Sequence, residues 1–230
     1  MKFMIEDRVF DLFPNLHIGI LSVRNITNMD KGREDLLEKA CCRLRNNLAE
    51  NSQINQNIEI YQDAMKKFKR KKGVKSSIYS LVNRVSKGQE IKSINPAVDI
   101  YNSISLNYIF PCGGADKDKI EGDYSLMFAS GIEEFIALGD TNNKPPRPDE
   151  LIYKDNHGAV VRSWLWRESD RTKITNKTTN VLLYLELLDI NRKEDFLLAL
   201  DELENLICNE LGGISETNML NIKNKECIIT

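Results

Sequence analysis

Ile94-Asn95-Pro96-Ala97-Val98-Asp99-Ile100-Tyr101-Asn102 divides the chain into two textures. Asn95 offers an amide oxygen to cap a helix and Pro96 suits the first helical position, so this stretch predicts a helix running to about Asn107. Upstream the pattern is one strand followed by helices. Leu16, Ile18 and Ile20 alternate with His17 and Gly19 and lead into Leu21 and Val23, the period of a strand with a buried face. Leu36, Leu37, Ala40, Cys41, Leu44 and Leu48 recur at three-to-four spacing, as do Ile54, Ile58, Tyr61, Met65 and Phe68 after a break at Asn51 and Ser52, predicting two amphipathic helices. Ser76 and Ser77 cap another helix through Leu81 and Val85 to Gly88.

Downstream of Tyr108, short β-prone runs alternate with turn residues at Gly122-Asp123, 139–143 and Pro145-Pro146-Arg147-Pro148. Strands are predicted at Tyr124–Phe128, Phe135–Leu138, Leu151–Tyr153, Ala159–Val161 and Asn180–Leu188. A final helix buries Phe196, Leu197, Leu200, Leu203, Leu206 and Ile207 and ends at Gly212-Gly213. The tail, 214–230, reads ambiguously. The fold class expected is α+β, a mostly antiparallel sheet with packed helices. It forms one compact unit, with residues 1–75 as a strand-helix-helix extension, 76–190 as the core and 191–230 as a C-terminal helix and tail.

Composition excludes several functions. With 41% apolar residues in 230, the chain can bury an ordinary core. Its 32 basic against 34 acidic side chains give a net charge of −2, so nucleic acid is not attracted by an overall positive field and any RNA contact must be local. Five cysteines and two histidines show no metal-ligand spacing, so neither a metal nor an organic cofactor is expected. Glu6 and Asp7 interrupt the start where an apolar targeting core would lie, and no run approaches the ~18 apolar residues of a membrane span; a cytoplasmic protein without a membrane partner is expected. Serine-nucleophile, phosphate-loop and dinucleotide fingerprints are absent.

Three concentrations of side chains stand out. Lys66, Lys67, Lys69, Arg70, Lys71, Lys72 and Lys75 cluster at a helix end, fitting either phosphate contact or a solvated terminus. Asp99 and Asn102 share a helix face and are expected to brace a loop at Gly113-Gly114-Ala115-Asp116. Arg162-Ser163-Trp164-Leu165-Trp166-Arg167 sets both tryptophans between arginines. On a strand, both indoles and Arg162 would share one face with Leu165 on the other. Such a face could stack bases and bind carboxylate or phosphate, or could be a packed aromatic edge. His17 and His157, the latter in an Asp155–Gly158 turn, read as structural.

In their order these segments resemble the editing module of the phenylalanyl-tRNA synthetase beta subunit, formed by its third and fourth domains, and free-standing relatives of it. Ile94 to Asn102 is similar to the family's Asn-x-x-Val-Asp-x-x-Asn helix. Asp116-Lys117-Asp118-Lys119-Ile120-Glu121-Gly122 is similar to Asp-x-Asp-Lys-Leu-x-Gly, and Thr172 to Leu183 resembles Ser-x-Val-Thr-x-x-Thr-x-Asn-Val-Leu-Leu. The resemblance spans residues 76–190 and implies hydrolysis of the ester joining tyrosine to the tRNA for phenylalanine, by a pocket and a positioned water rather than a conspicuous nucleophile.

The departures fall at the pocket. The family's pocket histidine corresponds to Gly113, its glycine-lined stretch to Ser163–Arg167, and the glutamate of its last strand to Tyr184, with Glu186 two residues on as a substitute on the same face. The resemblance thus implies a trans-acting aminoacyl-tRNA deacylase with a changed amino-acid preference. In it, Asp116, Arg162, Arg167, Thr175 and Glu186 would hold the amino group, ester carbonyl or adenosine oxygens. Trp164 and Trp166 would wall the pocket, Gly113-Gly114 would supply backbone amides, and Lys66–Lys72 would contact RNA. Catalytic residues stay unassigned. The partners implied are tRNA or aminoacyl-tRNA and a small amino-acid-like ligand. The alternative is a module on the same scaffold that binds RNA, an amino acid or a nucleotide without hydrolysis.

Overall fold

A computed structural model describes residues 1–28, 31–48, 52–164 and 166–230; Asn51 and Leu165, expected at a helix break and on a strand face, lie outside these. Two sheets form. The four-stranded one runs β3 (Cys112–Asp116), β8 (Val181–Leu187), β2 (His17–Arg24), β9 (Ile214–Leu220), antiparallel throughout. The six-stranded one runs β10 (Glu226–Ile228), β1 (Lys2–Ile5), β4 (Tyr124–Phe128), β5 (Leu151–Lys154), β6 (Ala159–Arg162), β7 (Arg167–Glu168). Only its β1–β4 pair is parallel.

Aromatic rings join the sheets. Phe3, Tyr124 and Tyr153 of the larger sheet meet Tyr184 of β8, with ring centroids 4.7 Å apart for Tyr153–Tyr184 and 6.5 Å for Phe3–Tyr184. All four are buried, so the aromatic layer is the middle of the core. On the other face of the small sheet lie α5 (Pro96–Tyr108) and α6 (Lys193–Leu211), with α2 (Glu34–Leu48) and α4 (Ser77–Ser86) packed on α5. The remaining helices are α1 (Asp7–Leu12), beside β4, and α3 (Ser52–Ala64), against α4. Among the described residues no helix is long and apolar enough to cross a membrane.

The start of α5 is a polar node inside this core. Asn95 caps the helix by accepting from Val98 N at 3.1 Å, and its own amide donates to Ile174 O at 3.1 Å. Asn28 donates to the Asn95 side chain and accepts from Ala97 N. Asp99, wholly buried, accepts from Arg33 N at 2.8 Å, Ile94 N at 2.9 Å and Ser93 Oγ. The chain can approach this closely only because residue 32 is glycine: a Cβ there would stand 1.8 Å from Ser93 Oγ. Asp99 therefore braces 32–33 and 93–94, not the Gly113 segment. Asn102 does not brace that segment either; half-buried, it faces an open groove.

A second lock is ionic. Glu150, wholly buried, takes two bonds from Arg162, Nε at 3.1 Å and Nη2 at 2.9 Å, and others from Ser163 N, Ser163 Oγ and Arg147 N. Burial opposes its charge, but Arg162 and these donors hold the carboxyl below its ordinary range.

Several sequence expectations are corrected. Gly113-Gly114 is no loop but part of β3, facing Tyr184 and Leu183 of β8; two glycines conceal a strand because glycine carries no strand preference. Phe135–Leu138 makes no strand, only single bridges from Ile136 to Asn143 and from Ala137 to Ser169. The helix expected to reach Phe68 stops at Ala64. β1, α1, β9 and β10 were not foreseen, β1 being too short for a period and paired with chain more than a hundred residues away. The tryptophans do not lie on a strand: Ser163 and Trp164 take left-handed φ of 47° and 57° in a turn, which buries Trp164 and leaves Trp166 half-buried.

Asp99→Ala strands two backbone N–H groups and is expected to cost about 2–5 kcal/mol, lowering Tm by roughly 5–15 °C, whereas Asn102→Ala should melt within about 2 °C of the parent. Arg162→Ala leaves Glu150 buried without its cation and is expected to cost about 3–5 kcal/mol, measurable by urea denaturation.

Candidate functional site

Between α4, the middle of α5 and β7 lies an open groove of about 820 Å³, lined by Arg84, Lys92, Asn102, Cys112, Leu138, Trp166, Arg167 and Glu168 among others. A cavity of about 50 Å³ leads inward from it, bounded by Gly113, Val161, Trp164, Trp166, Tyr184 and Glu186. A side opening of about 750 Å³ continues past Leu138 to Tyr101, Lys173, Thr175 and Lys177. Glu168 lines all three spaces, so it stands at their junction.

Local folding explains the placement. A Cβ on Gly113 would lie 3.0 Å from the Tyr184 ring, so the glycine lets that ring lie across β3 and close the cavity floor. The left-handed turn at Ser163-Trp164 is held by the two Ser163 bonds to Glu150. It turns Trp164 inward, onto Phe13 with centroids 4.9 Å apart and Phe68 at 6.3 Å, and leaves Trp166 half-buried at the groove. Arg162↔Arg167 and Val161↔Glu168 pairing between β6 and β7 then sets the Glu168 side chain at the junction.

The electrostatics single out two carboxyls. Glu168 keeps part of its surface open to the groove, yet burial alone pushes its pKa up to about 7. Among the described residues nothing pairs with its side chain. Glu186 is wholly buried and pushed up to about 8 by that burial, opposed in part by the Tyr153 hydroxyl, which donates to Oε1, and by the nearby Trp164 indole. Glu186 Oε2 and Trp164 Nε1 each lack a completed hydrogen bond. The Tyr101 phenol is held well above its ordinary value, by burial first and the Glu168 charge second. Burial likewise raises the Cys112 thiol, which therefore stays protonated and is no nucleophile.

Of the residues singled out in the sequence, the structure brings Gly113, Trp164, Trp166, Arg167 and Glu186 to the inner cavity and Thr175 to the side opening. Gly114, Asp116 and Arg162 are not part of these linings. Gly114 packs on Leu183 and Ile174. Asp116 accepts from Thr178 Oγ1 at 2.7 Å and Asp118 N at 3.1 Å, fixing a turn, and Arg162 is occupied by Glu150. Sequence reasoning passed over Glu168, although it is the acid directly after Trp166-Arg167; Tyr101 and Cys112 were missed as well.

The basic cluster sits behind the Trp164 wall. Lys66 pairs with Asp63 at 2.6 Å, Lys67 lies over the Phe13 ring at 5.4 Å, and Arg70 is half-buried, while Lys69, Lys71 and Lys72 are exposed. The groove has cations of its own: Arg84, Lys92 and Arg167 at the main opening, Lys173 and Lys177 at the side. Among the described residues no three His, Cys, Asp or Glu side chains converge to hold a metal ion.

Comparison with known proteins agrees with this architecture. The phenylalanine–tRNA ligase beta subunit of Pseudoalteromonas translucida is 29% identical over 93 residues, 40% of this chain and 11% of that protein. The beta subunit of Mycoplasma pneumoniae is 29% identical over 105 residues, 46% of this chain and 12% of that one. The chain thus spans only about an eighth of the length of these curated relatives. A crystal structure of an N-terminal fragment of the phenylalanyl-tRNA synthetase beta subunit from Pyrococcus horikoshii superposes with a TM-score of 0.52 at 14% identity, covering 93% of this chain and 49% of the fragment. The family model described as the B3/4 domain matches residues 60–197, more than half the chain, and the protein belongs to the B3/4 domain family.

Proposed function

We propose that the chain is a trans-acting aminoacyl-tRNA deacylase, hydrolysing the ester between an amino acid and the terminal ribose of a tRNA. The observation that carries this reading is Glu168, an unpaired carboxyl at the junction of a cation-rimmed groove and a small cavity. A carboxyl so placed matches the α-ammonium that every aminoacyl ester carries, and an ammonium partner relieves the desolvation that raises its pKa. With the ammonium on Glu168, the side chain enters the inner cavity and the ester lies at the groove mouth beside Arg167, whose guanidinium can polarise the carbonyl. Water adds to the carbonyl carbon, the C–O bond to the ribose breaks, and the ribose oxygen leaves with a proton, releasing free amino acid and tRNA.

The cavity of about 50 Å³ holds roughly one or two waters, or a side chain of two or three heavy atoms, and so rejects a phenol ring. Tyrosine on the tRNA for phenylalanine is therefore a poor substrate. Phosphates of the acceptor end lie along Arg84, Lys92, Lys173 and Lys177, and Lys69, Lys71 and Lys72 reach phosphates further along the RNA.

A deacylation screen of purified protein against many aminoacyl-tRNAs tests the proposal. Turnover of at least one small-side-chain ester is expected, with Glu168→Gln lowering kcat/KM by at least about tenfold without lowering Tm. Because Glu168 holds an ammonium only when ionised, activity above the uncatalysed rate should rise with pH through about 7 and lose that step in Glu168→Gln. Binding of aminoacyl-tRNA without turnover of any ester would replace the enzyme by a non-catalytic binding module. Neutralising Lys69, Lys71 and Lys72 together should reduce the slope of log affinity against log salt by roughly two to three units; an unchanged slope would make the cluster a solvated helix end.

A further inference from the structure

Tyr101, on α5, is only 6% exposed, and what it lines is the side opening. A buried tyrosine ordinarily places its O–H on a partner. Among the described residues the Tyr101 hydroxyl has none, yet it is not one of the unpartnered atoms sealed from solvent, which Trp164 Nε1 and Glu186 Oε2 are. Its oxygen therefore keeps accessible surface, and that surface faces the opening. Other polar groups beside it are taken. Asn95 bonds Val98 N, Asn28 and Ile174 O, and the Thr175 hydroxyl accepts from Lys177 N at 3.2 Å.

Two properties define what this hydroxyl can do. Burial first, and the Glu168 charge second, hold the phenol protonated, so it stays a hydrogen-bond donor and gives up no proton at neutral pH. It also stands close enough to Glu168 to feel that charge, on the side of the junction away from Arg167, which lines the main groove and inner cavity but not the side opening. In an aminoacyl ester the ribose oxygen is two carbons from the ammonium nitrogen, roughly 3–4 Å at ordinary bond lengths. The two ester oxygens diverge from one carbon, so a carbonyl oxygen on Arg167 turns the ribose oxygen toward the side opening.

We infer that Tyr101 is a further catalytic residue, whose hydroxyl donates a hydrogen bond to the ribose oxygen and stabilises it as the ester bond breaks. The inference rests on the reading of the groove as an aminoacyl-ester site. Water forms the new bond to the carbonyl carbon and the C–O bond to the ribose breaks, its electron pair going to the ribose oxygen. That oxygen takes up the proton the water has lost, and Tyr101 keeps its own. A fixed donor aimed at an oxygen that gains charge only during the reaction favours the transition state over the bound ester. The ribose thereby lies in the side opening, with its phosphate toward Lys173 and Lys177.

The test varies the leaving oxygen while keeping the ammonium and the side chain. Wild type and Tyr101→Phe are compared on the 3′-adenosine esters of alanine and valine and on the phenyl esters of the same two amino acids, after subtraction of uncatalysed hydrolysis. A phenyl ester releases an oxygen that is stable as an anion and needs little help from a donor. Tyr101→Phe should lower kcat/KM about tenfold or more on the adenosine esters and less than about twofold on the phenyl esters, at unchanged Tm. General damage to the site would slow both kinds alike. Equal loss on both, no loss on either, or a Tm lowered by more than about 2 °C overturns the role of Tyr101 while leaving ester hydrolysis intact. Absence of turnover with all four esters overturns the inference and the reading of the groove together.

Discussion

The inner cavity is floored by β8, whose seven residues are all buried and whose backbone is paired on both edges, to β2 and to β3. A strand in that situation has no freedom of register, since a slip of one residue would exchange its two faces. One face presents Leu183 and Leu185 on the α5–α6 side; the other turns Tyr184 and Glu186 toward the six-stranded sheet. The inner cavity is what remains where Tyr184 crosses Gly113 and where the Ser163-Trp164 turn stops short of β8. Its outline is thus a consequence of strand pairing, and its chemistry a consequence of which side chains that pairing faces inward.

Carboxylates divide the molecule into scaffold and site. Asp99 is satisfied by two backbone amides and a hydroxyl, Glu150 by Arg162 and three further donors, and Asp155 by Arg171 at 2.8 Å together with the amides of its own turn. Glu168 and Glu186 are the contrast. Among the described residues neither has a cation, and both are pushed toward neutrality by burial, Glu186 wholly enclosed and Glu168 still partly open to the groove. Raising a folded-state pKa above its unfolded value makes these two groups favour the fold most at acid pH, a contribution lost as pH climbs toward about 7 and about 8.

Much of this was legible in residue order. The Asn95-Pro96 start, the Ser76 cap and the long apolar face of α6 are local signals, and each marks a helix within a residue or two of where it lies. The α+β class and the family follow from those signals and from the motif order. What was not legible depends on distant chain. Lys2–Ile5 becomes a strand only because Tyr124–Leu126 and 226–228 flank it, and Gly113-Gly114 becomes one only against Tyr184. The tryptophan pair misled because two left-handed residues, Ser163 and Trp164, break an alternation that reads as a strand. Arg162 looked like a ligand-binding cation because its buried partner, Glu150, stands twelve residues before it and carries no local mark. Glu168 went unnoticed for the converse reason: the absence of a partner is a property of three-dimensional surroundings alone.

The proposed role of Glu168 is to receive the substrate's ammonium on a carboxyl that no cation pairs among the described residues. It is tested most directly by following that carboxyl carbon by NMR through a pH titration, assigned with Glu168→Gln, in the free protein and again with a saturating non-hydrolysable aminoacyl-adenosine. The account predicts a midpoint near about 7 in the free protein and a clear fall when the ligand's ammonium is bound. A midpoint at the ordinary glutamate value of about 4.3, or one that ligand leaves unmoved, would contradict it.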